Sequence, residues 1–313
     1  MQKYGPYFRE LRQSKDVTLA QLAADTGLTE GFISRFERGQ SDITVSRFTA
    51  LLEALNVAIE EFLLGMRHST TDSEEEEDYS LVRVRKMMPS MAPYFAISEV
   101  VKDASQVKSY IDAAEAAYRA KPTRKNHFIW LFYQSMNAIL QKPIDNASLA
   151  RIQAPIMHYL QQVDNWGVYE CYLFIAFTPA LAPVMTVQLL RIGLKRSRFL
   201  KHSPSFEQID LQLAVAALTS LMARDEMTAA VQVMKMMNGL DRSSANRVIA
   251  TGFFNGWLQI KLGKRDAGIA TCEHAIQQCS DLGLTEWANR FNEILNSLKT
   301  TPPTDTIFLY AQF

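Results

Sequence analysis

Cysteine is scarce in this chain: Cys171, Cys272 and Cys279 are three in 313 residues. They are too few and too scattered for a disulfide framework, which fits a reducing cytoplasm. Net charge is also absent, with 33 Lys and Arg against 33 Asp and Glu, so bulk charge argues neither for nor against nucleic acid. The opening MQKYGPYFRELRQ lacks the apolar core of a signal peptide. His68, His127, His158, His202 and His274 are dispersed, with no metal-ligand spacing among them. Cys272 and Cys279 stand at i and i+7, about 10.5 Å apart along a helix axis. Neither a disulfide nor a single zinc closes that gap, so buried helical thiols are expected. There is no P-loop, no G-x-G-x-x-G and no G-x-S-x-G. No enzyme and no cofactor are expected, although a catalytic set assembled only in space escapes such a search. The one long apolar run, 168–190, holds Glu170 and Gln188 and is broken by Pro179 and Pro183. A spanning helix needs about 20 unbroken apolar residues. Two buried helices meeting at a proline turn are expected instead, and no membrane partner.

What is present centres on TLAQLAADTGLTEGFISRFERGQ, residues 18–40. Thr18 and Gln21 form a T-x-x-Q capping box that starts one helix, with Leu19, Leu22 and Ala23 on one face. Gly27 stands where the chain must reverse with a positive φ. Thr29 caps a second helix whose Ile33 and Phe36 point inward at i, i+3 spacing. Glu30, Gly31, Ser34, Arg35 and Arg38 are left on its outer face. A braced helix carrying short polar groups and arginines outward is the geometry of a helix-turn-helix recognition helix. Tyr4, Tyr7, Phe8 and Leu11 predict a helix before the pair. Val45, Phe48, Leu51, Leu52 and Leu55, capped by Thr44, predict one after it, and Ile59, Phe62 and Leu63 a short fifth.

This order resembles the phage-repressor, XRE-type class of helix-turn-helix domains, over residues 4 to 64. The resemblance implies that Glu30, Gly31, Ser34 and Arg35 meet base edges, with Arg38 nearer a phosphate. That class often has a glutamine opening the second helix. Leu19 stands there in this chain, so Thr18 or Gln21 must supply the backbone contact. The run SRFERGQSDIT is similar to the Rgg/GadR/MutR regulators of Gram-positive bacteria, and so is NWGVYE, residues 165–170.

From residue 68 the chain reads HSTTDSEEEEDYS, with Arg83, Arg85 and Lys86 behind it. Like charges repel and nothing in the acidic run can be buried, so 68–97 is expected to be a solvated linker with a connecting helix. An acidic decoy for the DNA-binding face is the alternative. From about residue 98 apolar positions recur every three or four residues, with breakers at Lys121-Pro122, Lys142-Pro143, Asn165, Pro179, Ser203-Pro204, Gly239, Gly263 and Gly283. Ten helices in antiparallel pairs over 98–299 predict a solenoid of the tetratricopeptide (TPR-like) kind. The expected fold is therefore all-α: a five-helix, lambda-repressor-like helix-turn-helix domain, 1–67, joined to a TPR-like α-solenoid. The tail 300–313 is apolar. It is expected to cap the solenoid or, alternatively, to compete for its groove.

A ligand would lie on the inner helices of the solenoid. On that assignment His127, Trp130, Tyr133 and Asn137 line one pair. Trp166, Tyr169 and Tyr172 line the next, and Asn246, Phe253, Phe254 and Trp257 a later one. Phe253 and Trp257 are also core candidates. Rings for apolar side chains and amides for a main chain suit an extended peptide, with Arg151, Arg191 or Arg247 for its carboxylate. The family resemblance implies a short, apolar signalling peptide from outside. The expected protein is a cytoplasmic, homodimeric regulator that binds a double-stranded DNA operator and such a peptide. A phage-type repressor whose solenoid binds a protein partner is the alternative.

Overall fold

The structure is a computed structural model that describes residues 4–68, 92–95, 107–140, 146–203 and 206–300. It divides into two compact units, Met1–Glu77 and Asp78–Phe313. Among the described residues all regular structure is helical. The acidic run and the tail from 301 onward lie outside the described residues.

The first unit holds α1 (Tyr4–Ser14), α2 (Leu19–Thr26), α3 (Glu30–Glu37), α4 (Val45–Ala54) and α5 (Ile59–His68). The predicted capping box closes α2: Thr18 N–H donates to Gln21 Oε1 at 2.8 Å, and Gln21 N–H to Thr18 Oγ1 at 3.2 Å. Gly27 ends α2 with φ of 69°, in the left-handed region. Thr29 and Thr44 accept from the third amide of α3 and α4, as their positions predict. Phe8, Leu22, Ile33, Phe36, Leu51, Leu52 and Phe62 form the core, with Tyr4, Tyr7, Leu11 and Phe48 packed around it. The expectation fails at Val45, which is 75% exposed, and at Ile59, also on the surface. Both open their helices, where a first-turn side chain overhangs the end of the domain core. Gly5 is where α1 and α3 cross: a Cβ there would stand 1.9 Å from the Phe36 carbonyl oxygen.

Among the described residues the first element of the second unit is α6 (Ala92–Phe95), a single turn. It continues with α7 (Val107–Ala120), α8 (Arg124–Leu140), α9 (Asn146–Gln162), α10 (Val168–Phe177), α11 (Pro183–Arg196), a 3-10 turn (Arg198–His202), α12 (Ile209–Ala223), α13 (Met227–Asn238), α14 (Ala245–Lys261), α15 (Arg265–Asp281) and α16 (Thr285–Thr300). The apolar run 168–190 is indeed two helices, α10 and α11, parted by the turn around Pro179. Among the described residues no helix is long and apolar enough to cross a membrane. Helices α8, α10, α12, α14 and α16 touch in succession as one layer, and α9, α11 and α13 as the other. Alternating layers of this kind make the TPR-like solenoid that the spacing predicts. Gly263 and Gly283 turn the chain at the ends of α14 and α15 with positive φ.

In the second unit α14 and α15 cross closely. A Cβ on Gly256 would lie 2.6 Å from Cys272 Sγ, and one on Gly268 2.6 Å from the Gly256 oxygen. Cys171, Cys272 and Cys279 are free and buried. Burial, above all, pushes the Cys171 and Cys272 thiols up to about 12, so they stay protonated and unreactive.

Candidate functional site

Helix α3 presents the predicted readers to solvent while its other face is locked down. Ile33, Phe36 and Glu37 are buried, Glu30, Gly31, Arg35 and Arg38 exposed, and Ser34 half-buried. Arg35 Nη1 lies 3.9 Å from where a Gly31 Cβ would stand, so the guanidinium reaches back over the first turn. Arg38 donates to Ser34 Oγ and to Gln40 Oε1 at 3.1 Å, which holds those three side chains as one polar strip. Thr29 is exposed, with its hydroxyl turned to its own helix cap. Thr18 and Gln21 are exposed as well. Their box uses Gln21 Oε1 and leaves its amide NH2 to other partners.

Two contacts here join residues too far apart in sequence to be read from it. Arg12 of α1 donates to Glu37 of α3 through Nε at 2.7 Å and Nη2 at 3.0 Å, and to the Val17 carbonyl through Nη1 at 2.6 Å. Hydrogen bonding to Glu37 raises the Arg12 guanidinium further above its ordinary value, against the opposing effect of burial. Arg47, opening α4, sits 5.1 Å over the Phe32 ring of α3 and adds an exposed cation beside the recognition helix.

The solenoid treats its expected ligand residues unevenly. His127, Trp130 and Tyr133 form one stripe of α8, but α7 covers it. Tyr118 stacks on His127 at 4.8 Å and on Trp130 at 5.7 Å, and Tyr110 stacks on Tyr133 at 5.3 Å. Burial lowers the His127 imidazole below its usual value and keeps it neutral. Trp166 is 0% exposed and belongs to the core. Its Nε1 donates to the Leu160 carbonyl at 3.0 Å and its ring leaves no room for a Cβ on Gly193. Phe254 is 1% exposed between Trp257 and Phe291. Phe253, stacked on Phe291 at 4.0 Å, and Trp257 are core as well.

Arg247 is spent internally. It is buried against Asp210, Nη2 to Oδ1 at 2.7 Å, and donates to the Glu207 carbonyl. Lys201 Nζ meets the other Asp210 oxygen at 2.5 Å. Burial alone would raise the Asp210 carboxyl. Hydrogen bonds from Arg247 and Lys201 outweigh it and hold the group below the usual carboxylate range. Tyr133, Trp166, Arg247 and Phe254 are thus removed from a surface contact with a ligand. The reason is common to them: amphipathic spacing says which residues leave water, not whether a helix or a ligand covers them. Arg151 and Arg191 remain exposed, and Asn137, Tyr169 and Asn246 half-buried.

A helix-turn-helix unit followed by an α-solenoid defines a DNA-binding regulator with an attached helical-repeat domain. The model of the "HTH-type transcriptional regulator Rgg, C-terminal domain" matches residues 109–293, and a helix-turn-helix model matches residues 8–62. This chain belongs to the Rgg family of helix-turn-helix transcriptional regulators.

Solved structures agree with the fold. The SHP pheromone receptor Rgg2 of Streptococcus dysgalactiae is 21% identical, with a TM-score of 0.63, covering 94% of this chain and 99% of that one. PrgX in complex with iCF10 is 16% identical, with a TM-score of 0.61, covering 97% and 100%. PrgX in complex with cCF10 is 14% identical, with a TM-score of 0.62, covering 98% and 94%.

Proposed function

We propose that this regulator is a cytoplasmic homodimer that reads an operator through α3 and answers to a short apolar peptide bound by its solenoid. Residues 1–67 serve as the DNA-binding domain, 68–97 as an acidic linker and connecting helix, 98–299 as the sensor and dimerisation domain, and 300–313 as its tail. The observation that carries the reading is α3 itself: five polar or small positions face outward from a helix clamped by Phe36, Ile33 and the Arg12–Glu37 pair. On this reading Glu30, Gly31, Ser34 and Arg35 meet base edges. Arg38, Thr18, Gln21 and Thr29 sit toward phosphates. The peptide role is supported by the family and by the pheromone receptors that share the fold. Among the solenoid residues Asn137, Tyr169 and Asn246 suit a peptide main chain, and Arg151 and Arg191 its carboxylate.

Dimerisation follows from charge. Residues 1–67 hold as many acids as bases, within one, so phosphate attraction is weak and one small domain binds poorly. Doubling contacts over half-sites a helical turn or a multiple apart restores affinity. The test is footprinting and sedimentation of the full chain, with and without synthetic peptides encoded beside its gene. A monomer that still protects a two-fold-symmetric operator overturns the dimer. Operator binding indifferent to every peptide overturns the sensor role.

A further inference from the structure

Arg47 belongs to the first turn of α4, outside the helix-turn-helix pair α2 and α3, yet its guanidinium carbon stands 5.1 Å over the Phe32 ring of α3. The arginine is exposed, and Phe32 beneath it is half-buried. Among the described residues Arg47 makes no ion pair. Its backbone N–H donates to Thr44 Oγ1 at 3.4 Å, so the start of α4 is fixed while the side-chain charge is left over. Other arginines around α3 are engaged within the protein. Arg12 is paired with Glu37, and Arg38 is tied to Ser34 and Gln40.

Position around the helix decides what a spare cation can meet. At about 100° per residue, Phe32 falls about 60° past Arg35, off one edge of the outward arc, with Glu30 at the opposite edge. A recognition helix lies in a major groove about 12 Å wide, with base edges ahead of it and a phosphate backbone along each flank. A charge carried beside that helix by another element meets the flank and not the floor. An arginine stacked on a ring is also held in place, so it has less freedom to lose on binding.

We propose that Arg47, held by Phe32, clamps a phosphate of the operator strand that runs along the Arg35 side of α3. The contact comes from outside the helix-turn-helix and carries no base preference. The inference rests on the reading of α3 as the operator-facing helix and names a residue that seats it. Acids and bases nearly balance over residues 1–67, so one phosphate contact is a large share of the domain's attraction to DNA. Phe32 is a positioning residue and acts through the arginine.

The test uses the full chain and a duplex that it selects from a random pool. Affinity is followed from about 50 to about 200 mM salt for the parent and for Arg47→Ala. One lost phosphate contact lowers the log–log salt slope by about 0.9 per half-site, so the parent's advantage shrinks about 3.5-fold per half-site over that range. Arg47→Lys keeps the charge and restores the slope, and base preference stays as in the parent. An unchanged slope in Arg47→Ala overturns the proposal. So does a relaxed base preference, which would make Arg47 a reader. Phe32→Leu removes the ring and keeps an apolar side chain. It is expected to weaken binding about two- to fivefold in the parent and to add nothing to Arg47→Ala. Equal loss in both backgrounds overturns the role of Phe32, since a merely structural residue acts in either. The two readings fail separately. If Arg35→Ala relaxes base preference while Arg47→Ala keeps the parent's slope, only the clamp falls. If Arg47→Ala lowers the slope while Arg35→Ala keeps the preference, the clamp stands and Arg35 is not a reader. Operator binding indifferent to both substitutions removes α3 from the operator and the clamp with it.

Discussion

Arg12 and Glu37 face each other beneath the recognition helix as a two-pronged ion pair, 2.7 and 3.0 Å long, with side chains only 9% and 4% exposed. The pair ties the back of α3 to α1 and so fixes the angle at which α3 offers its outer face. Removing one partner leaves the other charge buried and uncompensated, which costs about 3–5 kcal/mol. Glu37→Ala is expected to lower the melting temperature of the first unit and to weaken operator binding, although Glu37 lies on the buried face of α3. Calorimetry of the full chain beside a binding isotherm checks this. An unchanged melting temperature would show the pair to be dispensable.

Arg35 is exposed, so its loss has a different signature. Arg35→Ala is expected to weaken operator binding by about 1–3 kcal/mol and to relax preference at one position per half-site. Thermal stability stays as in the parent, because no core contact is lost. Ser34→Ala is milder, freeing Arg38 from one hydrogen bond. Selection of bound sequences from a random pool reads the preference, and a retained preference would remove Arg35 from the readers.

Acid stability of the solenoid turns on Asp210. Its carboxyl is held low in the folded chain, against an unfolded value of about 3.9. A depressed folded value contributes stability that is complete above the unfolded value and is lost as pH falls through the folded one. Asp210→Asn is therefore expected to destabilise the second unit at pH 7 and to flatten its loss of stability below about pH 4. Urea unfolding followed across pH measures both. A variant with the parent's acid slope would place the sensitive group elsewhere.

Two glycines of α14 make an internal control. A Cβ on Gly256 meets Cys272 Sγ and the Gly268 oxygen, whereas one on Gly252 meets nothing within 4 Å. Gly256→Ala is expected to destabilise by about 1–3 kcal/mol or more, since a backbone oxygen must move. Gly252→Ala is expected to stabilise by roughly 0.5–1 kcal/mol through helix propensity alone. Opposite signs from one substitution in one helix, read by thermal melts, test the crossing directly.

Much of the architecture was written locally. Thr18 with Gln21, Thr29, Thr44 and Gly27 set the ends of α2, α3 and α4 through bonds spanning three or four residues, and such bonds are visible as spacing. Helix periodicity likewise located α7 to α16 and split 168–190 into two helices at the prolines. The outer face of α3 followed from the same periodicity, because that helix is short and amphipathic, with one side plainly apolar. The tertiary structure decided what covers each buried face. Helices α10 and α12 are apolar nearly all round, so no stripe told which side meets a neighbour. Arg247 and Asp210 are 37 residues apart, and Arg12 and Glu37 are 25 apart. A charge and its partner at that separation leave no period in the sequence. Only packing brings them within hydrogen-bond reach, and it was packing that gave the His127 stripe to Tyr118 and the Phe32 ring to Arg47.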